Sequence, residues 1–336
     1  MFTRRMADLA DAGLPLDRVL QVVAEQSENL QLTEIAESVL KDVRSGSSVS
    51  DALAKHPKNF PTVFTSTLKA GEQSGQFGEV ASRLAEFQEN EVARRSQVVS
   101  ALIYPAILLF VAVSVVVFIL TFVVPKLSET FAAQGDNLPG STKLLLQMSG
   151  FLSNQWLVIV GSFVALTIAY KLWVATESGA YTRDGILLRT PVVGKIALKS
   201  TVSRFSRVLG TLVFGGVPIL DAIELSGIAS GNRVFKKSSE QVRSDVREGK
   251  PIAEAMRDAG AFPPVLTHMV AVGEETGNLP HMLNRVSNSL DFEVDNGLRR
   301  ATALVEPIII LVMGGFVAFV VISVLLPILN SSQNIK

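Results

Sequence analysis

From Tyr104 to Val124 the chain carries no charged side chain, and fifteen of these residues are Ile, Leu, Val or Phe. At ~0.3–0.6 kcal/mol for each such residue, insertion into a bilayer is favoured by several kcal/mol with nothing opposing it. A run of this length free of charge reads as a transmembrane helix rather than a buried core helix. Ile308 to Leu329 repeats the pattern, also without charge. A weaker candidate spans Asn154 to Val174 and contains Lys171 near its end, where a lysine can snorkel to the interface. Tyr104, Trp156, Tyr170 and Trp173 stand where membrane interfaces would fall.

Basic residues set the orientation. Arg94 and Arg95 precede the first run, Lys171 stands at the end of the second with Arg183 and Arg189 beyond it, and Arg299 and Arg300 precede the third. The segment between the first two runs holds only Lys126 and Lys143, and the C-terminal tail only Lys336. The positive-inside rule then puts the N-terminus and the long middle segment in the cytosol, with the short loop and the C-terminus outside.

The chain is also duplicated. Phe2 aligns with Phe205, Arg4 with Arg207, and Gly13-Leu14-Pro15 with Gly216-Val217-Pro218. After a one-residue slip, Phe60-Pro61 meets Phe262-Pro263, and Gly71-Glu72-Gln73-Ser74-Gly75 meets Gly273-Glu274-Glu275-Thr276-Gly277. Pro105 matches Pro307, and Pro125 matches Pro327. The repeating unit is a cytosolic region of several short helices followed by one span. Phe77, Ala81, Leu84 and Phe87 mark one helical face, as do Leu279, Leu283, Val286 and Leu290. Gly46 and Gly249 read as helix stops, and Ser47 or Ser48 as the next cap.

The fold expected is an all-α membrane protein: two homologous cytosolic helical bundles plus three transmembrane helices. Its parts are a first cytosolic domain (1–101), a span (102–125), a periplasmic loop (126–153), a second span (154–174), a cytosolic linker (175–201), a second cytosolic domain (202–304), a third span (305–329) and a periplasmic tail (330–336). The linker reads as partly helical. Pro105 and Pro307 read as first-turn residues of their spans, where a missing N–H costs little, and Pro125 and Pro327 as the residues that close them.

Little chemistry is visible. Net charge is zero, so no global field favours nucleic acid. The absence of cysteine excludes disulfides and thiolate sites. Gly194-Lys195 and Gly249-Lys250 lack the spacing of a phosphate loop. His56, His268 and His281 are scattered. No enzyme and no resident cofactor are expected. Glu86 and Asn90, one helical turn apart, are weak candidates for a calcium site. Glu306, at the entrance of the third span, is the ionisable exception there: an interfacial residue, or a contact for a neighbouring membrane helix. In the motif, Gly71, Gly75, Gly273 and Gly277 permit a tight turn, and Ser74 and Thr276 can cap the following helix. Glu72 and Glu274 accept backbone hydrogen bonds in that turn or face a partner.

These residues resemble the F-domain proteins of bacterial type II secretion and type IV pilus systems. The duplication, both Gly-Glu-x-Ser/Thr-Gly motifs and the three-span layout carry the likeness across the whole chain. Leu120-Thr121-Phe122-Val123-Val124-Pro125-Lys126, Leu138-Pro139-Gly140-Ser141-Thr142-Lys143 and Glu306-Pro307-Ile308-Ile309-Ile310 are similar to the general secretion pathway F branch. The resemblance implies an inner-membrane platform that couples a cytosolic secretion ATPase to pseudopilus assembly and protein export across the outer membrane. It implies contacts with that ATPase, other inner-membrane secretion subunits, pseudopilins and membrane lipid, in a homo-oligomer. A platform for type IV pilus biogenesis is the alternative, and a small-molecule transporter a distant one. Family members usually carry a further cytosolic segment before the residues matching Phe2-Thr3-Arg4-Arg5, so contacts made by that segment are not carried over.

Overall fold

A computed structural model describes residues 2–27, 29–126 and 139–333; the side chains of 328–333 are not described. Among the described residues there are fifteen α-helices, one π-turn and no strand. The first copy comprises α1 (Phe2–Asp11), α2 (Leu16–Glu25), α3 (Leu30–Arg44), α4 (Val49–Ala54), α5 (Thr62–Ser74) and the start of α6 (Phe77–Phe118). The π-turn Ile119–Val123 extends α6. Then come α7 (Gly140–Asn154), α8 (Trp156–Ala175) and α9 (Glu177–Arg189). The second copy comprises α10 (Val193–Phe214), α11 (Ile219–Ala229), α12 (Arg233–Arg247), α13 (Ile252–Asp258), α14 (Pro264–Thr276) and the start of α15 (Leu279–Gln333). Segments of α6 and α15, and all of α8, are long and apolar enough to cross a membrane.

Contacts gather the chain into two compact units, one of Met1–Ser96 with Ala180–Gly297, the other of Gln97–Gly179 with Leu298–Lys336. In the first unit each copy has its own core, built from the same repeat positions. Phe2 and Phe60 have ring centroids 5.4 Å apart, and their counterparts Phe205 and Phe262 5.2 Å apart. Met6, Leu20, Leu53 and Leu68 are buried in one copy; Leu209, Ile223, Met256 and Val270 in the other. Each such side chain is worth roughly 1.5–3 kcal/mol when buried. Helix ends follow local chemistry: Asn29 and Asn232 cap α3 and α12 through their side-chain oxygens, and Ser48 caps α4. Gly46 and Gly249, at φ 99° and 96°, stop α3 and α12.

In the second unit the prolines behave differently from expectation. Pro105 and Pro307 lie deep inside α6 and α15 rather than in a first turn. Pro327 does not close its helix, which continues to Gln333. Pro125 is itself within a helical stretch that includes Lys126, the last described residue before 139. A proline inside a helix deprives a preceding carbonyl of its donor. Pro327 does so to Ser323, four residues back. In the π-turn, where Val124 N–H donates to Ile119 O five residues back, Pro125 does so to Leu120. Both carbonyls have side-chain donors from α7: Thr142 Oγ1 donates to Ser323 O at 2.6 Å and Ser149 Oγ to Leu120 O at 2.5 Å. Thr142, Ser149, Leu120 and Ser323 are all buried. Leu145 of α7 packs with Leu120, Val124 and Val320 between them. Half of the segment read as a loop is thus a helix that fastens α6 to α15; residues 127–138 and the last three of the tail lie outside the described residues.

The linker is largely helical. Buried Asp184 of α9 accepts the Arg233 N–H at 2.9 Å, adding a carboxylate at the N-terminus of α12. It also pairs with Arg183.

Candidate functional site

The repeated Gly-Glu-x-Ser/Thr-Gly motif divides its labour residue by residue. Gly75 and Gly277, at φ 73° and 68°, are the left-handed ends of α5 and α14. Gly71 and Gly273 have a different task. A Cβ on Gly71 would meet Val80 Cβ at 2.9 Å, and one on Gly273 would meet Leu279 Cα at 2.9 Å. These glycines let the next helix approach rather than make the turn. Ser74 and Thr276 cap no following helix. Ser74 Oγ donates back to Gly71 O at 3.3 Å, and Thr276 Oγ1 to Val272 O at 2.7 Å.

The glutamates reach outside the turn. Glu72 accepts the backbone N–H of Val49 at 2.6 Å and of Ser50 at 3.1 Å, and the Ser50 hydroxyl also donates to it. Glu274 accepts the N–H of Ile252 at 2.7 Å and of Ala253 at 2.9 Å. A carboxylate thereby sits at the positive end of α4 and of α13, whose first N–H groups have no intrahelical partner. The motif ties the short helix of each copy to the one that follows it. Nearby, Lys69 and then Ser48 hold the Asp51 carboxyl below the usual carboxylate range by hydrogen bonding to it. In the second copy, the hydrogen bond to Asp258 raises the Lys250 ammonium above its ordinary value.

The join between the copies is the second polar cluster. In the first copy, Arg4 makes a forked pair with Glu89 at 2.9 and 2.6 Å. At the equivalent place in the second, Arg207 pairs with Asp291 at 2.5 Å and bonds Asn288 at 3.1 Å. Asp291 also receives Arg94 from α6 of the first copy, and Arg204 reaches back to Glu91. The Arg83 guanidinium lies 3.3 Å from the Phe214 ring centroid, a cation–π contact across the same join. Between these groups is a small polar pocket lined by Arg83, Glu86, Arg207, Asn284 and Asn288, among others. Glu86 therefore faces arginines, and Asn90 is not among the lining residues. Among the described residues no three His, Cys, Asp or Glu gather as metal ligands. In the second unit, Glu306 is exposed beside Pro307.

Sequence reasoning missed the reach of Glu72 and Glu274, the Arg94–Asp291 bridge, the Asp184 contact and both α7 hydroxyls. Only the first carried a usable signal: a glutamate at the same motif position in both copies.

The family model described as type II secretion system (T2SS), protein F matches residues 2–125 and again 205–327. The type IV pilus assembly protein PilC of Myxococcus xanthus (strain DK1622) is 34% identical over 336 residues, covering 100% of this chain and 81% of that protein. The type II secretion system protein F of Vibrio cholerae serotype O1 is 34% identical, over 99% of this chain and 82% of that one. The type IV pilus assembly protein PilC of Thermus thermophilus is 35% identical, over 97% and 80%.

Proposed function

Because the chain belongs to the type II secretion system protein F family, we propose that it is the inner-membrane platform of a type II secretion system, without catalytic activity of its own. The observation that carries the reading is the match of the family model to both copies, each a helical domain leading into an apolar helix. The N-terminus and both repeated domains lie in the cytosol and the C-terminus in the periplasm, following the arginines before each outward span. The cytosolic domains dock a secretion ATPase and other inner-membrane subunits, and the apolar helices receive pseudopilins as they assemble. A carboxylate-stapled helix and an ion-paired join suit a scaffold, because they fix domain shape without offering a nucleophile or acid–base pair.

A second reading, a platform for type IV pili, is favoured by relatives of that name at the same level of identity. Affinity purification of the tagged chain from gently solubilised membranes tests the coupling. The reading expects the ATPase encoded for the same system to co-purify in stoichiometric amount. Recovery of the intact chain without any ATPase, when both are expressed, would contradict it.

A further inference from the structure

Within the unit that holds both copies, the first meets the second head to tail. On α5, Val63, Thr67 and Ala70 occupy positions i, i+4 and i+7 of one face. Val63 and Ala70 pack against the core of the second copy, and Thr67 Cγ2 stands 3.1 Å from where a Cβ on Gly215 would be. The repeat equivalents of these residues are Val265, Met269 and Val272 on α14. There the face is open at its two ends, Val265 being 49% and Val272 42% exposed, while Met269 between them is half-buried at the edge of its own copy's core. The receiving end has an open equivalent too. Thr211 and Gly215 are buried at the end of α10, whereas their counterparts Asp8 and Ala12 in the first copy are exposed.

We propose that the Val265–Met269–Val272 stripe docks on the α1 end of a second copy of this chain, repeating between chains the contact made within one. Charge supports that occupant. Arg83 lies over Phe214 inside the chain, and the equivalents of that pair are the exposed Arg285 and the exposed Asp11. The contact between chains thus sets a cation against a carboxylate where the contact within the chain has a cation over a ring. Met269 replaces Thr67, and its flexible side chain can adapt to the Cβ that Ala12 has and Gly215 lacks. Since the contact joins unlike faces, it propagates into a ring or an open row rather than closing as a two-fold dimer. The inference rests on the duplication and not on the secretory reading, so either can fail alone.

The absence of cysteine makes the test direct. Two differently tagged full-length chains, one Ala12→Cys and one Met269→Cys, are co-expressed and oxidised in native membranes. The expected product is a disulfide-linked heterodimer, absent when either variant is expressed alone; a chain carrying both substitutions gives a ladder. Thr67→Cys with Gly215→Cys, cross-linking within one chain, confirms that the oxidant reaches such a contact. Arg285→Glu should lower the yield about fivefold, which is ~1 kcal/mol, and Asp11→Arg on the other chain should restore it. Cross-linking of Met269→Cys to itself would overturn the head-to-tail contact. Monomers that remain thiol-reactive, or capture of a different protein at Met269→Cys, would overturn the proposal.

Discussion

Glu72 and Glu274 place a carboxylate where the first N–H groups of a short helix lack intrahelical partners, and α4, of six residues, is too short to be stable alone. Glu72→Ala should therefore cost ~2 kcal/mol, seen as a lowered unfolding temperature of the detergent-purified chain. Thr276→Ala, which removes only a bond back to its own helix, should cost less than ~0.5 kcal/mol in the same measurement. An effect of equal size for both would refute the division of labour within the motif. Asp51 adds a pH dependence. Its folded carboxyl titrates below its unfolded one, so its contribution is complete above the ordinary carboxylate range and disappears as the pH falls through the folded value. Unfolding curves of Asp51→Asn should fall below those of the parent at neutral pH and merge with them in acid. The sequence marked these positions because they recur at a fixed offset. It did not show where the glutamates point, since that depends on how two helices pack.

At the scale of the element, α7 acts as a fastener between α6 and α15. Its two hydroxyls supply hydrogen bonds that two prolines withhold, in a region where unsatisfied carbonyls are costly. Thr142→Val should cost ~1 kcal/mol in the parent chain. With Pro327→Ala, the new backbone N–H can serve the Ser323 carbonyl, so the same substitution should cost close to nothing. The double-mutant cycle in detergent isolates that coupling, and equal costs in both backgrounds would exclude it. The first and third span helices were legible from charge-free length alone, and the second from its length with Lys171 placed near its end. The role of α7 was not, because its pattern is only weakly amphipathic and its importance derives from prolines far away in sequence. The same holds for Pro105 and Pro307: as residues they resemble helix starts, and only the continuity of α6 and α15 shows them to be interior.

At the scale of the whole molecule, duplication has yielded two copies with matching cores and different surroundings. Glu89 and Asp291 hold equivalent positions, but Asp291 binds an arginine from each copy, and its partners Arg94 and Arg207 are only 13% and 10% exposed. Asp291→Asn should strand both guanidinium groups and cost ~2 kcal/mol, whereas Glu89→Gln at the surface should have a far smaller effect; comparative thermal unfolding reads the difference. The repeat was visible in the sequence through glycines, prolines and phenylalanines that each serve a local need. The asymmetric join was not, since one alignment relates the copies without saying which faces meet. The functional reading rests on family membership extending over both copies. It is tested most directly by deleting the gene in its native bacterium and scoring exoprotein release and surface piliation together, with and without the restored chain. Loss of exoprotein release, rescued by the intact chain, is the predicted result; loss of pili alone would transfer the platform to the pilus reading, and a deletion strain normal in both would contradict the account.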